Sequence, residues 1–151
     1  MATFVLIHGA GDSAWFWHLV KPQLRERGHT DWQPANLDHV EQPEEMSAED
    51  AETIATFYHD VPPDLAAEAL KRGRGQSETP GVKPWPLEAW PDVPTRFLLC
   101  RDDHMFPADW MRRVVKERLG ITADEIDGGH CIALSRPKEL AERLDSYLFE
   151  R

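Results

Sequence analysis

The sequence predicts an α/β domain built on a parallel sheet, and three stretches carry that prediction. Residues 3–7 are an unbroken apolar, β-branched run, the pattern of a strand buried on both faces. The run ends in His8-Gly9-Ala10-Gly11, and helical spacing begins immediately afterwards. The same grammar returns at residues 95–119, where Thr95–Cys100 precedes a loop and a helix opened by Pro107 and closed by Gly120. A short strand at Ile121–Ile126, a Gly128-Gly129 turn and a last helix, Lys138–Leu148, complete a third unit. Strands that alternate with helices in this way lie parallel, and such sheets bind ligands beyond the carboxyl ends of their strands.

The elements follow in order. After the first strand, Trp17, Val20 and Leu24 share one helix side while Lys21, Arg25 and Arg27 lie elsewhere, with Asp12 or Ser13 as N-cap and Gly28 as the stop. Thr30–Leu37 takes the place of a second strand, and its Pro34 confines it to an edge. His39–Asp50 is acidic, almost free of apolar residues, and reads as a surface linker. Ser47 and Asp50 have capping-box spacing ahead of a helix through Ala51, Ile54, Ala55 and Tyr58. Asp60-Val61-Pro62-Pro63 ends that helix, and Leu65–Arg72 forms the next. Residues 73–94 are proline-rich, yet Trp85, Leu87 and Trp90 are too apolar for a free linker and predict a loop packed across the body. One domain spanning residues 1–151 is the expected organisation.

Composition removes several classes of function. A net charge of −10 leaves no basic footprint for nucleic acid or an anionic membrane. No apolar run reaches the length of a membrane span, and no signal peptide precedes the first strand, so a cytoplasmic protein is expected. Cys100 and Cys131 have neither metal-ligand spacing nor the number for a disulfide framework. No two histidines have helical ligand spacing with an acid between them, so neither metal nor cofactor is expected.

The opening FVLIHGAGDSAWFW resembles that of α/β-hydrolases, particularly the small esterase and hydroxynitrile-lyase-like branch. The resemblance implies that His8 and Gly9 set a turn whose backbone N–H at Ala10, with Gly11, serves an oxyanion hole. R-D-D-H-M-F-P after the Thr95–Cys100 strand resembles the acid loop of that family. Aligning Pro107 selects Asp103 as the acid, with Asp102 as the alternative, and the GGH turn makes His130 the general base. The stretch at 51–72 resembles the helical cap of the family. The implied architecture is a reduced three-layer hydrolase fold, a short, mostly parallel sheet with helices on both faces and a remnant cap.

The nucleophile does not follow. The family places its serine in G-x-S-x-G on a strained turn, and this sequence contains no such motif. Ser77, in Gly75-Gln76-Ser77-Glu78-Thr79, lacks a preceding strand and is followed by Pro80. Gly11-Asp12-Ser13 together with Asp127-x-x-His130 superficially fits the GDSL-type hydrolases, but their asparagine block is missing. The resemblance covers about residues 1–38 and 51–150 and leaves no room for the central elbow block. An ester or acyl hydrolase of weak or lost activity is therefore expected, acting on a small ester-like molecule. A non-catalytic binding module and a cofactor-free acid–base lyase using His130 are the alternatives. Without the central block, the Thr3–Ile7 and Thr95–Cys100 strands are expected to pair directly, with dimerisation by strand or lid exchange as the second choice.

Overall fold

The computed structural model describes residues 1–32, 48–75, 82–84 and 86–150. The Ser47 cap, the end of the second predicted strand beyond Trp32, Ser77 and Trp85 lie outside them. Four short strands, β1 (Thr3–Val5), β2 (Thr30–Trp32), β3 (Leu98–Cys100) and β4 (Asp124–Ile126), alternate with helices. The helices are α1 (Val20–Glu26), α2 (Ala48–Phe57), α3 (Pro63–Lys71), α4 (Ala108–Leu119), α5 (Ile132–Ser135) and α6 (Pro137–Ser146). A 3-10 turn, Ala14–Trp17, precedes α1, and Ser13 caps it by accepting a hydrogen bond from Trp15 N.

β1 pairs with β2 in parallel, Thr3 opposite Thr30, and β3 pairs with β4 in parallel, Leu98 opposite Asp124. The two pairs form separate sheets, so the expected direct pairing of the first strand with Leu98–Cys100 does not occur. What unites the sheets is side-chain packing. Phe4 of β1, Leu98 and Cys100 of β3 and Ile126 of β4 all pack on one cluster built from Leu6, Val20, Leu24, Ile132, Leu140 and Ala141. Val20 and Leu24 have no exposed surface. Burying each is worth roughly 1.5–3 kcal/mol at most, so α1 and α6 anchor the core more firmly than the three-residue strands do.

The first strand is not buried on both faces as its composition suggests. Leu6 is 5% exposed, but Val5 and Ile7 keep 57% and 72% of their surface. An apolar run predicts two covered faces only where neighbouring elements supply the cover, and among the described residues β2 is the single strand beside β1. The proline-rich stretch departs from expectation in the same direction. Leu87, Trp90 and Val93 are exposed rather than packed, with Trp90 Nε1 donating to Thr95 Oγ1 at 3.0 Å.

His29, just beyond Gly28 at the exit of α1, is buried. Its Nε2 lies 2.7 Å from Asp145 Oδ1, and its Nδ1 accepts from Ala2 N at 3.2 Å, fastening the first strand to α6. Helix ends agree better with the sequence, because they depend on local chemistry. Gly28 and Gly120 close α1 and α4 with φ of 80° and 70°, values that a side chain disfavours. Among the described residues no helix is long and apolar enough to cross a membrane.

Candidate active site

The site forms where the loops after β3 and β4 meet. Immediately beyond Cys100 the chain turns, and Asp103 Oδ1 accepts hydrogen bonds from the backbone N–H groups of Met105 (2.8 Å) and Phe106 (3.0 Å). These two donors fix the carboxylate and leave Oδ2 pointing at His130, whose Nδ1 lies 3.0 Å away. An ionised carboxylate only accepts, so Nδ1 carries the proton and Nε2 presents a basic lone pair. The carboxylate is largely buried, with 11% of its side chain exposed against 29% for the imidazole. Phe57 meets the ring edge-on at 5.1 Å and Phe106 lies 5.6 Å away, so aromatic walls restrict its rotation.

Asp102, the alternative acid, has a different task. Its Oδ2 accepts from Gly128 N at 3.1 Å while its own N–H donates to Gly128 O at 3.0 Å, tying the acid loop to the histidine loop. Asp60, between α2 and α3, accepts from Gly129 N through Oδ2 at 2.7 Å. His59 Nε2 donates to Asp102 O at 2.9 Å, and its ring stacks on His104, with centroids 3.7 Å apart. A Cβ at position 129 would lie 2.6 Å from His59 Nε2 and 2.7 Å from Asp60 Oδ1, so a side chain there would have to displace one of these two residues. Val61, Ala66 and Ala69 bury against Cys131 and Leu134 and complete the seat.

Across the site stands the glycine turn. Ala10 is exposed, and Gly11, at φ 77°, accepts from Arg74 N through its carbonyl at 2.7 Å. Asp12 was legible only as a cap, and Ser13 takes that role instead. Asp12 Oδ2 folds back toward the turn, 3.9 Å from where a Gly9 Cβ would stand. Burial pushes its carboxyl up to about 6, and the charges of His8 and His130 oppose the rise, which places Asp12 within electrostatic reach of the histidine. The sequence signal was present: an acid one residue past a glycine turn at the tip of a strand.

No hydroxyl or thiol among the described residues hydrogen-bonds His130 Nε2. Ser13 is 8% exposed and engaged as a cap. Burial also raises both thiols, Cys100 to about 11 and Cys131 higher still, which leaves them protonated and poorly nucleophilic at neutral pH. Asp127 forms an ion pair with Arg101, not with His130, which removes the geometric basis of the GDSL-like arrangement.

A carboxylate-oriented histidine at the strand tips of a parallel α/β fold defines a hydrolase-type scaffold. The sequence profile of the Alpha/beta hydrolase family matches residues 28–143, and the chain belongs to that family. Its fold is similar to that of polyneuridine aldehyde esterase, at 14% identity and a TM-score of 0.78 over 97% of this chain and 99% of that one. A mutant of the same esterase matches at 15% identity and a TM-score of 0.76, over the same shares of the two chains. A methylesterase protein from Arabidopsis matches at 11% identity and a TM-score of 0.72, over 99% of each chain. No curated protein matches the sequence at a significant level.

Proposed function

We propose that this chain hydrolyses an ester or related acyl bond, with His130 as general base. The observation that carries the reading is the 3.0 Å contact of His130 Nδ1 with an Asp103 carboxylate already held by two backbone donors. In the proposed step, Nε2 takes a proton from a water molecule as its oxygen attacks the carbonyl carbon. The carbonyl π electrons move onto oxygen, where the Ala10 and Gly11 N–H groups receive the charge. Collapse re-forms the carbonyl and expels the alcohol oxygen, which recovers the proton from the imidazolium. Water and ester are consumed; acid and alcohol are released. No cofactor enters, and the helices α2 and α3 act as the remnant cap.

With no serine among the described residues hydrogen-bonded to His130 Nε2, the expected acceleration is about 10³-fold over water, the part that orientation and electrostatics supply alone. The test is p-nitrophenyl acetate turnover in wild type and His130→Ala, with a fluorophosphonate probe alongside. Slow hydrolysis lost in His130→Ala and no covalent adduct support the reading. A stoichiometric adduct on Ser13 or Ser77 would replace water by that serine. Ligand binding with no turnover would leave a binding module in its place.

A further inference from the structure

A partly open cavity of about 320 Å³ adjoins the Asp103–His130 pair. Residues 97–100 all line it. Successive side chains of a strand point to opposite faces, so four consecutive lining residues mean that the cavity lies along an edge of the strand. β4 occupies one edge of β3, and the cavity follows the other. Its far walls are Trp17 of the 3-10 turn, Met111 of α4 and Leu144 of α6.

Charged side chains are few in this lining. Asp103 and His130 are the charged or titrating members of the lining apart from the Cys100 thiol, which burial keeps neutral and which packs as a small apolar group. Size sets the rest. An engineered apolar cavity of about 150 Å³ holds one benzene ring. A space near 320 Å³ therefore takes roughly a dozen carbon atoms.

We infer that this cavity receives the apolar body of the substrate, an uncharged acyl group of about eight to twelve carbon atoms whose carbonyl lies at His130. The assignment rests on the hydrolytic reading only for the identity of the carbonyl; the apolar pocket stands independently of it. An acetyl group leaves most of the cavity unfilled, and an anionic tail would meet no cation among its lining residues.

Two readouts separate the two claims. Binding of 2-undecanone, an uncharged ketone that cannot be hydrolysed, is followed by NMR at the methyl of Ala133, which also lines the cavity, with butanone as the short control. Hydrolysis is followed with p-nitrophenyl esters from acetate to dodecanoate. Both are repeated in Met111→Trp and Leu144→Trp, two independent ways of filling the cavity, each checked for an intact melting transition. The expected result is binding of undecanone at least tenfold tighter than butanone, lost in either variant. kcat/KM should rise with chain length to about decanoate in wild type and stay flat in the variants. Undecanone binding without ester turnover would uphold the pocket and defeat the hydrolytic reading. Undecanone binding that is absent, or unchanged in both folded variants, would overturn the pocket, whatever the esters do.

Discussion

The two sides of the site are built to different standards. On the histidine side, Asp103 accepts from two backbone N–H groups and meets His130, Asp102 brackets Gly128 with two hydrogen bonds, and Asp60 accepts from Gly129. On the glycine-turn side, the Gly11 carbonyl accepts from Arg74 N and the Gly9 carbonyl from Asp12 N, but Ala10 is exposed and the strand that leads into the turn leaves Val5 and Ile7 uncovered. The side that holds the proposed base is therefore densely tied, while the turn proposed to meet the charge of a reaction intermediate follows a partly uncovered strand. Orientation of the base survives where a densely cross-tied pair of loops replaces the sheet as its scaffold.

The largest expected effect separates two adjacent acids. Asp103→Asn should remove most of the roughly 10³-fold advantage over water, because the amide no longer enforces the Nδ1–H tautomer. Asp102→Ala, which severs only the loop-to-loop bond from Gly128 N to the side chain and keeps the backbone one, should leave the rate within about threefold and cost about 1 kcal/mol of stability. Steady-state kinetics and urea unfolding on both variants check the pair. Equal losses of rate would erase the distinction between orienting and fastening.

A steric test follows. Gly129→Ala places a methyl 2.6 Å from His59 Nε2 and 2.7 Å from Asp60 Oδ1. The seat of α2 and α3 must then shift, at a cost of about 1–3 kcal/mol by overpacking. Gly75→Ala, with nothing within 4 Å, is the matched control and should be neutral. Denaturant midpoints decide it, and an indifferent Gly129→Ala would show that these helices are not held by the histidine turn.

The smallest effect lies on the weaker side and depends on pH. Asp12 is raised from its ordinary 3.8 to about 6 in the folded state. Between those values the folded chain holds a proton that the unfolded chain has released, so this group costs stability progressively as pH rises to about 6. Asp12→Asn should therefore melt close to wild type at pH 3.5 and above it at pH 8. A gap that is constant with pH would show that burial does not perturb Asp12.

Much of this contrast was readable from the sequence where chemistry is local. Pro107 and Gly120 bound α4 as expected, and the R-D-D-H-M-F-P and G-G-H stretches sit in the two loops that bring Asp103 to His130. What could not be read depends on neighbours distant in sequence. The Thr3–Ile7 run fits a fully buried strand, yet its exposure is set by which strand lies beside it, and periodicity carries no such information. His29 gives no sign of burial in the sequence because its partner, Asp145, is 116 positions away. Asp12 and Ser13 are equivalent as caps on paper; only the direction of the turn decides that Ser13 caps and Asp12 faces the histidine side.

The central claim is that Asp103 fixes the proton on His130 Nδ1 and leaves Nε2 as the base. Long-range ¹H–¹⁵N correlation on ring-labelled protein reads this directly at a pH where the imidazole is neutral. Wild type is expected to show a protonated Nδ1 and an unprotonated Nε2, with that preference lost in Asp103→Asn. A wild-type His130 with its proton on Nε2 would contradict it.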